Sequence, residues 1–313
     1  MDVLILDAFD ADVARWLAER HGVHHAPELM NDADGLRAAL LQARALVAPQ
    51  SLRVDGGLLG AAPQLRALAR VGSEPPAVID LDACERAGVE VVRNGGAQAT
   101  ANAEFVIGAL LHQWRRGAAQ RELGSATIGL FGMQPAARSL AALLQAFGAR
   151  VVGFDPSLHA SDPLWSRWQI EPLPLRDMMA ACDGVCVLLP MFSRYRGLLG
   201  ERVLSTCKPG QVLVSLTHSS VFDELALAEA MADGRVADVW LDDAEPGLVE
   251  SGRPLHGLPG VQVTSRLADS TREARERSAW TVARRIDALL APIGRQASPR
   301  SRPAPLYAAP SAA

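Results

Sequence analysis

A glycine-containing loop at residues 129–138, GLFGMQPAAR, has residue types and spacing that could bind a phosphate group. The residues before it, ATIGLF, predict a strand, and those after it, ARSLAALLQAFG, predict a helix. Such a loop binds the pyrophosphate of a dinucleotide when small residues stand at three positions, here occupied by Gly132, Gln134 and Ala137. A side chain at the second position separates the backbone from the phosphates, and Pro135 has no N–H to donate. Gln134 and Pro135 therefore predict that dinucleotide binding is weak or lost.

The next predicted strand ends in GFDP, which places Asp155 directly after it. An acidic residue at this position holds the adenosine ribose and favours NAD over NADP. An aspartate at the end of a strand also commonly begins a turn, and this alternative stays open. The expected cofactor is NAD, held weakly or lost.

Short aliphatic runs that alternate with helical stretches must position these residues. Strands are predicted at residues 3–8, 45–50, 89–94, 127–132, 150–155, 184–190, 211–216, 236–241 and 261–265. Helices are predicted at residues 10–22, 58–72 (leading into a strand), 101–114, 137–147, 175–182, 200–206, 223–232 and 270–291. Aliphatic strands separated by helices are typical of parallel sheets that are covered on both faces.

Length and composition limit the classes of function. The 313 residues suffice for two domains, and the net charge of −4 gives no reason to expect nucleic acid or a membrane surface as a partner. The four cysteines lack CxxC spacing, so we expect buried thiols, no metal site and a cytoplasmic protein. The single lysine, Lys208, is expected to be solvated in a turn, which argues against Schiff-base chemistry.

Between about residues 67 and 277 the chain resembles the D-isomer-specific 2-hydroxyacid dehydrogenases, the family of phosphoglycerate dehydrogenase and hydroxypyruvate reductase. The stretches that carry the resemblance are VIDLDACERAGVEVVRNGGAQATANAEFVIGALL, TIGLFGMQPAARSLAALLQAFGARVVGFDP, LLPMFSRYRGLLGERVLSTCKPGQVLVSL, VFDELALAEAMADGRVADVWLDDAEP and PLHGLPGVQVTSRLADSTREARER. The resemblance implies an α/β protein of two doubly wound parallel-sheet domains. A Rossmann-type cofactor domain would span residues 102–269. A discontinuous, flavodoxin-like substrate domain would combine residues 1–101 with 270–293, and residues 294–313 would form a disordered tail.

The resemblance also implies roles for single residues. The family's substrate-clamping arginine falls on His218, and its proton-transferring histidine falls on Arg266, so the two side-chain types stand at exchanged positions. The family's carboxylate that raises the basicity of the histidine falls on Gly247 in ungapped register, with Glu245 as a nearby substitute. The three catalytic candidates are therefore His218, Arg266 and Glu245.

Further positions of the family carry over as binding residues. The substrate-facing candidates are Ser73, Glu74 and Gln98. The cofactor-facing candidates are Gly132, Gln134, Pro135, Ala136, Asp155, Pro190, Thr217 and Asp242. The segment between Arg116 and Ser125 is shorter than the family's dimer-forming arm, so a homodimer is left open.

Two functions remain open at this point. In the first, the altered catalytic set has ended standard hydride transfer, and the protein acts on or binds a small acidic ligand in the cleft between the domains. In the second, the protein is an active NAD-dependent oxidoreductase on a 2-oxo or 2-hydroxy acid. His218 would then be the acid/base and Arg266 the carboxylate clamp.

Overall fold

The computed structural model describes residues 1–49, 51–71, 79–92, 94, 96–116 and 120–291, which form two parallel β-sheets with helices. Apolar clusters lie on both faces of each sheet, as in doubly wound α/β folds. The predicted fold class is confirmed by this architecture. The C-terminal residues 294–313, predicted to be a disordered tail, lie outside the described residues.

The first sheet is formed by the N-terminal third of the chain. Its strands are β1 (Val3–Ile5), β2 (Val23–His25), β3 (Ala45–Val47), β4 (Ala67–Ala69) and β5 (Glu90–Val92). The helices among them are α1 (Ala11–Ala18), α2 (Ala33–Leu40), α3 (Gly56–Gly60) and α4 (Leu81–Arg86). The strands are all parallel in the order β2-β1-β3-β4-β5, which is the flavodoxin-like order.

The second sheet follows a long helix, α5 (Ala99–Arg116), which leads the chain out of the first sheet. Its strands are β6 (Thr127–Phe131), β7 (Arg150–Phe154), β8 (Glu171–Pro172), β9 (Gly184–Val187), β10 (Gln211–Ser215), β11 (Val236–Leu241) and β12 (Val261–Val263). The helices among and after them are α6 (Pro135–Ala146), α7 (Pro163–Trp168), α8 (Leu175–Ala181), α9 (Glu201–Leu204), α10 (Glu224–Ala232) and α11 (Arg272–Leu290). The order β12-β11-β10-β9-β6-β7-β8 is the Rossmann order with one added strand.

The two long helices bury apolar faces against different sheets. In α5, Val106, Leu110 and Trp114 join the core on one face of the second sheet. In α11, Val282 and Ile286 pack in the core of the first sheet, with side chains of β1 and β3. The last helix of the chain therefore covers the sheet that the first residues form.

The stretch 58–72, predicted to be a helix leading into a strand, has that order, but its helix is shorter than predicted. Helix α3 ends at Gly60, and Pro63 follows, whose ring cannot continue a helix. Residues 67–69 instead form β4, which is fully buried. The short strands β2 and β8 were not predicted, because their residues are largely polar or exposed and they pair at the edges of the sheets.

Asp183 lies at a junction of the second sheet and pairs with the lysine that was expected to be solvated. Its Oδ1 lies 2.5 Å from Nζ of Lys208 and also pairs with Arg121, while Oδ2 accepts the N–H of Thr127 at 2.9 Å. Burial raises the pKa of Asp183, but these bonds outweigh it and hold the pKa below its ordinary value. The contact fastens the beginning of β6 to the segment that enters β9.

The four cysteines are free thiols and are all buried. Burial raises the pKa of Cys182 and of Cys207 to about 12. Within the described ranges, no helix combines the length and the apolar character needed to cross a membrane.

Candidate active site

The candidate site lies at the carboxyl ends of β6 and β9, where the strand order of the second sheet reverses. Ligands of open α/β sheets bind at such a switch point. A cavity of about 250 Å³ opens there. It is lined by Gln98, Asn102, Gln134, Pro135, Ala136, Leu188, Leu189, Pro190, Met191, Leu216, Thr217, His218, Asp243 and Arg266.

Gly132 allows the loop after β6 to press against the end of β9. Its φ is +99°, and a Cβ there would lie 2.9 Å from the carbonyl of Leu188 and the nitrogen of Leu189. Its N–H donates to the carbonyl of Phe154 at 2.8 Å. Only glycine satisfies both the backbone conformation and the close approach, so this position of the phosphate-loop motif is retained for a steric reason.

Helix α6 begins at this loop and directs its N-terminus toward the cavity. Gln134 is the N-cap residue and makes no side-chain cap bond, and Pro135 is the first helical residue. The N–H groups of Ala136 and Ala137 have no acceptor within the helix, because the first turn lacks one. Gln134 is exposed, so its side chain can turn away from an incoming phosphate. The glycine, the free N–H groups and the helix dipole therefore fit a dinucleotide pyrophosphate.

Asp155 fastens the phosphate loop to the end of β7. Its Oδ2 accepts the N–H of Met133 at 2.7 Å, and its Oδ1 accepts the N–H of Ser157 at 2.8 Å and the Ser157 hydroxyl at 2.5 Å. The bond to the N–H two residues later is the turn that the sequence analysis kept as an alternative. Asp155 is buried and lies outside the described cavity lining, so its bond to a ribose hydroxyl stays a prediction.

Thr217 and Pro190, both expected to face the cofactor, line the cavity. The Thr217 hydroxyl donates to the carbonyl of Leu189 at 2.9 Å, which joins the ends of β9 and β10. Ser73 and Glu74, expected to face the substrate, lie outside the described residues, whereas Gln98 lines the cavity from the segment that enters α5.

His218 is held at the end of β10 by its neighbour Ser220. The N–H of Ser220 donates to Nδ1 of His218 at 3.2 Å, and the Ser220 hydroxyl lies 2.9 Å from the same nitrogen. Because His218 lines the cavity and its Nδ1 is engaged, Nε2 is the ring nitrogen left to meet a ligand.

Asp242 does not line the cavity in the described part of the chain, although a cofactor contact was expected of it. It organises the loop that carries Arg266. Its carboxylate accepts bonds from the Thr264 hydroxyl at 2.5 Å, the Leu267 N–H at 2.8 Å and the Ala268 N–H at 3.0 Å. Its backbone carbonyl accepts the N–H of Arg266 at 2.5 Å.

Arg266 reaches the cavity from a strained backbone position. Its φ is +56°, in the left-handed region that side chains other than glycine seldom occupy. Its Nη2 lies 3.6 Å from Oδ2 of Asp269. Such strain is retained where the surroundings impose it, and it is common at binding sites. Arg266 lines the cavity and is paired with Asp269.

Asp243 is the carboxylate that faces the cleft, and the sequence analysis missed it. It lines the cavity, and burial raises its pKa, while the charges of Arg266 and His218 oppose the rise. Gly247 instead has a φ of +79°, and Glu245 is about half exposed, 3.7 Å from Arg253 and outside the described cavity lining. Asp243 could have been predicted from its position, two residues beyond β11 at the carboxyl edge of the sheet.

A family model described as "D-isomer specific 2-hydroxyacid dehydrogenase, NAD binding domain" matches residues 100–268. The chain is 30% identical over 295 residues to (S)-sulfolactate dehydrogenase of Chromohalobacter salexigens, covering 89% of this chain and 95% of that protein. It is 33% identical over 278 residues to D-3-phosphoglycerate dehydrogenase of Mycobacterium tuberculosis, covering 83% of this chain and 52% of the relative. The chain thus spans about half the length of the latter relative.

Solved structures share the fold. The TT0316 protein from Thermus thermophilus superposes with a TM-score of 0.75 at 24% identity, covering 93% of this chain and 97% of that one. The NAD⁺-bound 3-phosphoglycerate dehydrogenase of Entamoeba histolytica superposes with a TM-score of 0.72 at 16% identity, covering 92% and 94%.

Proposed function

Because the chain belongs to the D-isomer-specific 2-hydroxyacid dehydrogenase family, we propose that it is an NAD-dependent oxidoreductase that interconverts a 2-oxo acid and a 2-hydroxy acid. One observation carries the proposal. His218, Arg266 and Asp243 line the same cavity as the N-terminus of α6. A proton-transferring group, a cation and a phosphate site therefore adjoin one another. The expected loss of hydride transfer has no support among the relatives, which are named dehydrogenases.

The nicotinamide cofactor, when bound, supplies or accepts the hydride at C2 of the substrate. The protein's part is to hold the cofactor's pyrophosphate and orient its ring. The N–H groups of Ala136 and Ala137 serve the pyrophosphate, and Gly132 lets the loop before them pack closely against the end of β9. Leu188, Leu189 and Leu216 line the same cavity.

Arg266 binds the carboxylate of the substrate in this proposal. Its planar guanidinium can donate two parallel bonds to the two carboxylate oxygens, which fixes the direction of the neighbouring keto group. The loop organised by Asp242 holds the Arg266 backbone in place, so little backbone freedom remains to be lost on binding.

His218 transfers the proton to or from the substrate oxygen. In reduction, Nε2–H of the charged ring donates to the keto oxygen as the hydride reaches C2, and a neutral ring remains. In oxidation, neutral Nε2 takes the proton of the substrate hydroxyl. The Ser220 hydroxyl can accept from Nδ1–H or donate to bare Nδ1 at 2.9 Å, whereas the Ser220 N–H at 3.2 Å can bond only to bare Nδ1 and loses that bond when Nδ1 is protonated.

Asp243 supplies a negative charge beside the other two groups. The charges of Arg266 and His218 lower the pKa of Asp243 against the effect of its burial, which favours the carboxylate form of Asp243. The site thus has an acid, a clamp and a carboxylate, with the histidine and arginine at positions exchanged relative to those implied by the family resemblance.

The test is an assay of NADH consumption with a panel of 2-oxo acids, comparing the wild type with His218→Asn. Turnover in the wild type that the variant lacks would support the proposal. No turnover above that of the variant with any acid would overturn it.

A second function is favoured by the ion pair between Arg266 and Asp269, with its 3.6 Å separation. The pair keeps a cation at the cavity wall, and a cation can bind a small acid there without turnover. NADH titrations and acid titrations that show binding, together with an absence of NADH oxidation, would support this alternative.

A further inference from the structure

Asn102 is a polar residue of the cavity wall that the proposed reaction leaves without a role. It stands on α5, one helical turn after Gln98, and both amides line the cavity. The Oδ1 atom of Asn102 is buried and meets no hydrogen-bond donor among the residues that the structure describes. A buried acceptor without a donor costs free energy, so the site is incomplete until a ligand supplies an N–H or O–H.

The 2-oxo acid is a poor match for this acceptor. Its keto oxygen and its carboxylate only accept hydrogen bonds, and in the proposed reaction they face His218 and Arg266. The hydroxyl of the reduced product has one proton, which it shares with His218. The donor must therefore come from elsewhere in the bound assembly.

The position of Asn102 points to the cofactor. The cavity is lined by Gln134, Pro135 and Ala136, taken as its phosphate end, and by His218 and Arg266, taken as its reacting end, and Asn102 lines it too. A nicotinamide placed between these ends presents a carboxamide, whose NH₂ group donates and whose oxygen accepts. Rotation about the Cβ–Cγ bond of Asn102 turns Oδ1 toward such a donor.

We propose that Asn102 is a positioning residue that accepts a hydrogen bond from the carboxamide NH₂ of the nicotinamide and so fixes the rotation of the ring. The inference rests on the proposed function, because it assumes that the cofactor binds in this cavity. Gln98, one turn earlier, is left for the substrate.

The experiment compares NAD⁺ with its 3-acetylpyridine analogue, in which a methyl group replaces the NH₂ and no donor remains. Dissociation constants are measured by calorimetry, which needs no turnover. The variants are Asn102→Leu, which has similar volume and no acceptor, and Asn102→Asp, which keeps acceptor oxygens. Glu104→Gln is the control, because Glu104 is exposed on the same helix and outside the described cavity lining.

The measured ratio is the dissociation constant of the analogue divided by that of NAD⁺. The wild type and Glu104→Gln are expected to have the same ratio, with NAD⁺ bound more tightly. A single neutral bond predicts that Asn102→Leu lowers this ratio about threefold to tenfold. Asn102→Asp keeps the ratio, so it carries the test if Asn102→Leu does not fold. An unchanged ratio in Asn102→Leu, or a lost ratio in Asn102→Asp, would overturn the assignment. Failure of the wild type to bind either dinucleotide would instead overturn the proposed function.

Discussion

The N–H of Ser219 donates to the carbonyl oxygen of Asp243 across 2.8 Å, and the Ser219 hydroxyl accepts the N–H of Glu245 at 2.9 Å. The loop after β10 is thereby fixed to the loop after β11. Because His218 directly precedes Ser219, the backbone that carries the His218 ring is held relative to Asp243 by these contacts. Asp243 and Ser265 form a further bridge to the loop of Arg266.

Replacement of His218 by asparagine should lower kcat about 10²- to 10⁴-fold, because general acid/base catalysis contributes that much. NADH binding should persist, since the phosphate site is elsewhere in the cavity. His159→Asn is a matched control, because Nδ1 of His159 contacts Ser161 at 2.7 Å and 3.2 Å in the same arrangement. Steady-state kinetics of both variants check the prediction, and an equal loss in the two would contradict it.

Replacement of Arg266 by lysine should raise KM about tenfold to a hundredfold with a smaller effect on kcat. The ammonium group keeps the charge but cannot make two parallel bonds to a carboxylate. Arg272→Lys is the control, because Arg272 is exposed on α11. Initial rates over a range of substrate concentration separate the effect on KM from the effect on kcat. An unchanged KM would exclude Arg266 as the carboxylate clamp.

Replacement of Asp243 by asparagine should stabilise the protein at neutral pH while it lowers activity. Burial raises the pKa of Asp243 above the ordinary 3.8, so the folded protein binds a proton more tightly than the unfolded chain does. Stability from this group is therefore present below the ordinary value and is lost as pH rises through the folded pKa. Asparagine does not ionise.

The measurement is Tm of the wild type and Asp243→Asn as a function of pH. The variant should have the higher Tm at neutral pH, and the difference should shrink as pH falls toward the ordinary carboxyl range. Asp233→Asn, at an exposed carboxylate, should leave the pH profile unchanged. If Asp243→Asn had a lower Tm than the wild type at neutral pH, the predicted stabilisation would be wrong.

Two substitutions in the phosphate loop should affect NADH binding to very different extents. Gly132→Ala should cost about 2–4 kcal/mol of stability and weaken NADH binding, because a Cβ at φ +99° meets backbone atoms at 2.9 Å. Gln134→Gly should change the NADH dissociation constant by less than about threefold, since the side chain is exposed and makes no cap bond. Urea unfolding and NADH titration measure the two effects. A large gain in affinity for Gln134→Gly would restore the expectation that this glutamine blocks the cofactor.

Much of the fold could be predicted from the sequence, because buried strands of parallel sheets are aliphatic runs bounded by breaks. GVCVLLP, for example, predicted a strand at 184–190, and β9 occupies Gly184–Val187. The helix predicted within 58–72 is shorter than expected, because α3 ends at Gly60 and the alanine- and leucine-rich residues 67–69 form the buried strand β4. Tertiary burial outweighed local propensity there.

The site was harder to predict, because its residues lie in loops whose lengths do not follow the sheet. His218 and Arg266 were predicted as site residues from their alignment with the family's catalytic positions, and both line the cavity. The carboxylate was assigned to Gly247 or Glu245, whereas Asp243 faces the cleft, since the path of that loop depends on its bonds to Ser219 and to Ser265. Asp242 was given a cofactor contact, but its acceptors are used by the loop of Arg266. Hydrogen bonds across loops leave no periodic pattern.

The pairing of Lys208 with Asp183 gives the protein a built-in chemical reporter. One lysine among 313 residues means one side-chain amine, and that amine is engaged by a buried carboxylate at 2.5 Å. An amine-reactive dye would therefore label a single defined side chain. A fluorophore placed there would leave every residue of the cleft unmodified.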